Sequence, residues 1–202
     1  ARRQRQMCIR DRCWGDAYYG GRLPANLIPQ GVTVKQIISS GCAFAAICSD
    51  GQIRCWGHAN FGGSIPAPLI PEGITVNHIV SNDYKFVAIC SDGQIRCWGG
   101  VTSGGRLPAN LIPKRVTVKH IVSTDDAFAA ICSDGQIRCW GSAHHGGRLP
   151  DNFLPQGVTV KQIVSNRHAF AAICSDGQIR CWGDAHHGGR LPDNFLPQGV
   201  TV

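Results

Sequence analysis

The stretch "ICSDGQIRCWG" occupies residues 47–57, and the same eleven letters return unchanged at 89–99, 131–141 and 173–183. Each copy contains a Cys-Trp pair, and one further pair precedes them, so that the pairs stand 42 residues apart at 13-14, 55-56, 97-98, 139-140 and 181-182. A fixed period of this length is typical of solenoids, propellers and arrays, in which one unit cannot bury its apolar face without a neighbour. The sequence therefore predicts about four and a half structural repeats.

Each repeat has the composition of short strands separated by turns. In the last full copy, "VTVKQIVS" at 158–165 is strand-like and rich in β-branched residues, and "AFAAIC" at 169–174 is short and apolar. The segment "GGRLPDNFLPQG" at 146–157 holds two Pro and three Gly, which is too broken for a helix. This pattern predicts an all-β protein.

The Ser-Asp-Gly segment at 49–51 is predicted to form a three-residue hairpin loop, with Gly51 in the left-handed conformation that glycine adopts without steric cost. In this register Ile47 lies opposite Ile53, so that one face of the hairpin is apolar and the other is mixed. A two-residue turn would scramble the two faces. The Asp of each turn is expected to cap its own backbone. The same structural role is expected for the equivalent glycines, Gly93, Gly135 and Gly177.

The order of features in each repeat resembles the regulator of chromosome condensation repeat family. The features are an apolar strand, a D-G turn, an Ile at 53, Trp-Gly at 56-57 and a Gly-rich loop at 62-63, and they recur over residues 12 to 202. The resemblance implies a β-propeller, usually closed by seven blades, so that this chain is expected to form a partial propeller, an open arc of 42-residue blades. The family includes exchange factors for a small GTPase, chromatin binders, modules of ubiquitin ligases and a bacterial β-lactamase inhibitor. WD-type repeats differ because they end a strand in Trp-Asp, whereas all five copies here read Trp-Gly.

The chain divides into a short basic tail and the repeats. Residues 1–11 lack the repeat text and are interpreted as a non-native or disordered tail, and residues 12–202 as propeller repeats truncated at both ends. Residues 1–12 hold five Arg and one Asp, a net charge of +4 out of the total of +7. The repeats carry little excess charge, which makes nucleic acid an unlikely ligand. No apolar run is long enough for a membrane helix.

The tryptophans are predicted to be structural, because one aromatic residue per unit is typical of a propeller blade. They are Trp14, Trp56, Trp98, Trp140 and Trp182. The hairpin register places Cys48 and Cys55 on opposite faces, where they cannot bond to each other. Buried free thiols are the favoured interpretation, which favours an intracellular location and leaves secretion open. The C-x6-C spacing does not suit zinc, and no cofactor is expected.

Two segments of each repeat vary while the rest is copied, and variable positions in a repeat usually lie in exposed loops. These positions are candidates for partner contact, with neutral drift after duplication as the alternative. A metal pair at 144-145 and 186-187 is disfavoured because the histidines are replaced in the other repeats. The candidate rim residues are Tyr18, Tyr19, Asn60, Phe61, Thr102, Ser103, His144, His145, His186, His187, Tyr84, Asp125, Arg167 and His168.

No catalytic motif is present, so the sequence favours a non-enzymatic scaffold that binds a protein partner through blade-edge loops. Two alternatives come from the resemblance: a guanine-nucleotide exchange factor for a small GTPase, and a secreted enzyme inhibitor of the β-lactamase-inhibitor kind. An exchange factor would need a long insertion outside the regular unit. Because an arc of fewer than seven blades cannot close, exposed strand edges are expected to make the chain self-associate.

Overall fold

A computed structural model describes residues 13–100 and 106–192 of the chain. The predicted tail, residues 1–11, lies outside the described residues. The repeats are described from Cys13 onward. The described residues form four three-stranded antiparallel sheets, here called blades 1 to 4. The strands are β1 Val34–Ser39, β2 Ala43–Cys48, β3 Ile53–Gly57, β4 Val76–Ser81, β5 Lys85–Cys90, β6 Ile95–Gly99, β7 Val118–Ser123, β8 Ala127–Cys132, β9 Ile137–Gly141, β10 Val160–Ser165, β11 Ala169–Cys174 and β12 Ile179–Gly183.

The blades are simple meanders that stack side by side. In each blade the second strand is central, as in the order β1-β2-β3. The first strand of each blade contacts the first strand of the next, from β1 through β4 and β7 to β10, so these strands form the inner wall of the arc. Residues 13–100 and 106–192 also contain three short 3₁₀ turns, at Ala17–Tyr19, Ala59–Phe61 and Ala185–His187. The all-β partial propeller expected from the sequence is confirmed.

The predicted hairpin register is also confirmed. Ile47 pairs with Ile53 and Ala45 with Cys55. Gly51 has a φ of 76°, and its N–H donates to the Cys48 carbonyl at 3.0 Å, as in a three-residue loop. The division into one buried and one mixed face is wrong for the central strand, however, because that strand is packed on both sides.

Both faces of the central strand are buried in blades 2 and 3, because each of these blades lies between two neighbours. Ala45 and Ile47 face the next blade and pack with Phe86 and Trp98. The long loop that joins the blades fills the space between them with apolar side chains, Ile65, Leu69, Ile70 and Ile74. Each inter-blade core is therefore built from two sheets and the linker between them.

Three of the tryptophans anchor a linker to a blade through a hydrogen bond. The Trp98 indole stacks on Phe86 with ring centroids 5.2 Å apart, and its Nε1 donates to the Gly62 carbonyl at 3.0 Å. The same donor bond joins Trp56 to Gly20 and Trp182 to Gly146. Buried Trp usually needs such an acceptor.

Trp14 differs from the other four tryptophans. Its side chain is 87% exposed, whereas Trp56, Trp98, Trp140 and Trp182 are buried. It makes none of the Phe stacking contacts that the described residues give to those four.

The glycines of the first three hairpin loops, Gly51, Gly93 and Gly135, contact the following blade. The Gly135 carbonyl accepts from the Val160 N–H at 3.1 Å, and a Cβ at Gly135 would lie 2.6 Å from Thr159 Cγ2. Gly135 also has a φ of +75°. The repeated Ser-Asp-Gly text therefore serves both the turn and the blade-to-blade contact.

We expect Gly135→Ala to destabilise the fold more than Gly157→Ala, which is the matched control. Gly157 has a similar φ of +81°, but nothing lies within 4 Å of its Cβ position. The control should lose about 1–2 kcal/mol from left-handed strain alone, and Gly135→Ala should lose roughly 1–3 kcal/mol more from the steric overlap. Urea unfolding followed by circular dichroism measures both, and equal losses would contradict the inter-blade contact.

The ends of the arc expose sheet faces rather than the strand edges that were expected, because blades stack face to face. Ile37 is 54% exposed. The equivalent Ile79, Ile121 and Ile163 pack against the preceding blade and are each only 2% exposed. Val164 is 52% exposed on the opposite side of the arc. Ile37 and Val164 therefore mark two complementary surfaces, of the kind that pack against each other between neighbouring blades inside the arc.

We expect the chain to associate head to tail through these two faces, since such a contact does not close on itself. Sedimentation velocity should show a weight-average mass that rises with concentration. Ile37→Asp combined with Val164→Asp should abolish that rise, because the charges cannot be buried unpaired. The control Gln156→Asp, in an exposed part of a linker, should not. A monomer at all concentrations would contradict this expectation.

Candidate functional site

The two variable segments of each repeat meet at one end of the arc. The turn between the first and second strands lies beside the 3₁₀ turn or loop that follows the third strand. The Ser40 hydroxyl donates to the Phe61 carbonyl at 2.8 Å, and the Asn166 amide donates to the His187 carbonyl at 2.8 Å. We call this surface the loop rim, defined by residues 16–19, 40–42, 58–61, 82–84, 124–126, 142–145, 166–168 and 184–187.

Blades 1 and 2 carry a continuous row of ring contacts on the loop rim. Tyr19 contacts Tyr18 at a centroid distance of 5.2 Å, and Tyr18 contacts His58 at 4.6 Å. His58 contacts Phe61 at 5.0 Å, and Phe61 stacks on Tyr84 at 5.6 Å. A hydrogen bond of 2.6 Å between the Tyr18 hydroxyl and His58 Nε2 ties two repeats together. These five side chains are called the aromatic ladder.

The loops that present the ladder are held rigidly on the blades. The Asp16 carboxylate accepts from the Tyr18 N–H at 2.8 Å and caps the first 3₁₀ turn. Gly20 ends this turn at a φ of 87°, and a Cβ there would lie 2.7 Å from the Phe44 ring. The backbone thus rests directly on the core of blade 1, while Tyr18 and Tyr19 remain 61% and 51% exposed.

Blades 3 and 4 carry imidazoles in place of the ladder. The His168 ring lies between those of His145 and His187, with centroid distances of 5.1 and 4.6 Å. His145 Nδ1 lies 2.9 Å from an oxygen of Asp126, and His187 Nδ1 lies 3.0 Å from one of Asp184. Hydrogen bonds from the His186 backbone N–H and from His187 hold the pKa of Asp184 below its usual value. We call His145, His168 and His187 the histidine row.

The structure brings seven of the candidate rim residues into these two rows. Four are in the aromatic ladder and three in the histidine row: Tyr18, Tyr19, Phe61, Tyr84, His145, His168 and His187. Asn60, His144 and His186 are exposed on the same turns but belong to neither row. Thr102 and Ser103 lie outside the described residues. The described residues contain no group of His, Cys, Asp or Glu that could hold a metal ion.

His58 is a ladder member that the sequence reasoning missed. It precedes the Asn60-Phe61 pair and caps its turn, accepting from the Asn60 N–H at 3.1 Å. The equivalent residues are Asp16, Gly100, Ser142 and Asp184, so this position also varies between repeats. Comparison of the repeats two residues further upstream would have included it.

The inner strands end at the loop rim in a polar ring. Each Ser hydroxyl donates to the Ser carbonyl of the preceding blade, from Ser81 to Ser39 at 2.6 Å, from Ser123 to Ser81 at 2.7 Å and from Ser165 to Ser123 at 2.6 Å. Asp125 and Arg167, the remaining candidates, line a cavity together with these serines. The Asp125 N–H donates to the Arg167 carbonyl at 3.0 Å.

The opposite end of the arc carries the hairpin loops. As expected, each Asp caps its own turn, for example Asp134 accepting from the Gln136 N–H at 3.1 Å. Each also pairs with an Arg four residues later, which the sequence reasoning missed: both Asp134 oxygens accept from Arg138, at 2.9 and 2.6 Å. The equivalent Arg54 lowers the pKa of Asp50 to about 2. These carboxylates are therefore structural and charged.

The ten described cysteines are free thiols. Cys48 and Cys55 lie on opposite faces of their hairpin, as the register predicted. Burial raises the pKa of Cys55, Cys97 and Cys139 to about 12. Thiols with such a pKa stay protonated and are poor nucleophiles.

Within the described residues, no helix is both long and apolar enough to cross a membrane.

Comparison with known proteins gives a local family match and a wider match of fold. The model of the WD domain, G-beta repeat, matches residues 72–99. The last strand of that segment ends in Trp98-Gly99. The prediction that a Trp-Gly ending separates this chain from WD repeats is therefore wrong. No curated protein matches the chain significantly.

Among solved structures, yeast RCC1 (Prp20) bound to Kap60 has a TM-score of 0.59 at 17% identity over 88% of this chain and 48% of that chain. Prp20p of Saccharomyces cerevisiae gives 0.58 at 18% identity, over 87% and 50%. Human WBSCR16 gives 0.57 at 17% identity, over 90% and 55%. The chain therefore spans about half the length of each of these structures. At this identity the likeness is one of fold: the chain is built as part of a β-propeller.

Proposed function

We propose that the chain is a non-enzymatic scaffold that binds a protein partner through the loop rim. The observation that carries this proposal is the aromatic ladder, a row of five touching rings on an otherwise polar loop surface. Large amphipathic rings are enriched at protein interfaces, where they bury much area and lose little conformational entropy. The ladder gives the rim a localised apolar anchor.

The ladder also differs from the aromatic residues that stabilise the blades. Trp98 and Phe86 recur at equivalent positions of the described blades and are buried, whereas Tyr18 and Tyr19 are exposed and are replaced in later repeats. A rigid backbone holds these exposed rings in place before any partner arrives. Preorganisation of this kind reduces the entropy cost of association.

The exchange-factor alternative has one point in its favour. Prp20p, one of the proteins with a similar fold, was examined for its binding to Gsp1p and histones. Equivalent strands of the described blades begin 42 residues apart throughout. The described residues therefore contain no long insertion of the kind that an exchange factor would need. The secreted-inhibitor alternative conflicts with an array of free thiols, which favours a reducing compartment.

The scaffold proposal predicts that loss of the ladder weakens partner binding while the fold persists. Immobilised wild-type chain is compared with Tyr18→Ser/Tyr84→Ser in capturing proteins from the source cells, and each captured protein is then titrated in purified form. Truncation of two interface anchors should weaken binding at least about tenfold, since anchor residues each contribute on the order of 2 kcal/mol.

His144→Ser is the matched control, because His144 is exposed on the loop rim but outside both rows. It should bind like the wild type, and all proteins should show the same unfolding midpoint. Equal binding by the ladder variant and the wild type would exclude the ladder as the contact. A nucleotide-release assay with any captured GTPase separates the exchange-factor alternative, which requires faster release.

A further inference from the structure

The inner wall of the arc presents two consecutive side chains from each first strand. In β7 the pairing register shifts between Val118 and His120, so a bulge interrupts the alternation of faces. Lys119 and His120 are consequently both exposed towards the inner wall, and the same shift exposes Lys161 in β10. None of the four inner strands contains an acidic residue.

A cavity of about 430 Å³ lies between blades 3 and 4 at the hairpin end of this wall. Lys119 and His120 from β7 and Lys161 from β10 line it, together with Ser133 and Asp134 of the intervening hairpin. Cavities of this size hold small molecules. Two lysines and a histidine therefore line the same open-sided cavity.

The equivalent cavity between blades 1 and 2 provides an internal comparison. Its hairpin and linker residues are the same, but Gln36 stands for His120 and Asn77 stands for Lys161. Only Lys35 is basic among the first-strand residues there. Both differences add a basic side chain to the cavity between blades 3 and 4, while the other lining residues of the two cavities are identical in type.

Asp134, the one acidic residue lining the cavity, does not cancel this charge. Its two oxygens accept from Arg138 and from the Gln136 N–H, so the carboxylate is already neutralised within its own hairpin. Ser133 adds a neutral donor: its oxygen accepts from the Thr117 N–H at 3.0 Å, which leaves the hydroxyl hydrogen for a ligand. The cavity thus offers donors and positive charge.

We propose that this cavity binds a small phosphorylated molecule, with Lys119 and Lys161 holding phosphate oxygens and Ser133 donating a hydrogen bond. Lysine binds phosphate as a point charge, and two lysines can share one diphosphate. A long polyanion fits less well, because blade 2 places Asn77 where a continuous basic row would need a lysine. The site lies at the end of the arc opposite the loop rim and is independent of the proposed protein partner.

Calorimetric titration of the full chain with inorganic pyrophosphate at about 0.15 M ionic strength, where the Debye length is about 8 Å, tests the proposal. One site per chain with a dissociation constant below about 1 mM is expected. Lys161→Asn, which copies the residue of the blade 1–2 cavity, should weaken binding by about tenfold, the loss expected for one charged hydrogen bond. Lys35→Asn removes the same charge from the other cavity and should leave the affinity within about twofold, since exposed charges further than a Debye length are screened.

The converse variant is Gln36→His/Asn77→Lys, which gives the blade 1–2 cavity the residues of the other one. It should raise the stoichiometry from one site to two. No measurable binding by the wild type, equal losses from Lys161→Asn and Lys35→Asn, or an unchanged stoichiometry in the converse variant would each overturn the proposal. Thermal unfolding of each variant without ligand establishes that the differences do not come from misfolding.

Discussion

The packing of each sheet against the next, across an inserted linker, is the interaction on which the whole structure depends. A three-stranded sheet with a short apolar central strand cannot bury both faces alone. The linker solves this by bringing its apolar side chains between the blades, and the indole-to-carbonyl bond from Trp98 to Gly62 fixes it there. The close approach of Gly62 to Phe86 is possible only without a Cβ. The repeated residues of each unit therefore have to fit the packing of two neighbouring blades at once.

The fold could be predicted from the sequence because its determinants are local and repeated. The Asp-Gly turn at 50-51 sets the hairpin register, and the period of 42 residues indicates stacked units. What failed was the assignment of faces, since alternation within one hairpin cannot show that Ala46 and Cys48 are covered by a linker. The Arg54 partner of Asp50 was missed for a related reason: the Arg was assigned only to a face, although its side chain reaches back to the turn.

The candidate site was predictable only as a set of variable positions. Differences between copies located the loops, but not which side chains touch across blades. Phe61 and Tyr84 belong to different loops and meet because the fold stacks them, and His168 joins the two other imidazoles in the same way. The inner-wall lysines gave no sequence signal, because the bulge that exposes two successive residues is visible only in the strand pairing.

The polar ring of serines has a consequence for how such a chain can change in length. Its hydrogen bonds join residues 42 apart, and those of the tryptophans join residues 36 apart, so each bond reaches only the adjacent unit. Gain or loss of one whole unit by recombination between repeated segments of the gene would leave every remaining bond with its partner. A single inserted codon inside a strand would instead break the match on both sides. The architecture thus tolerates changes in the number of its units far better than changes within one.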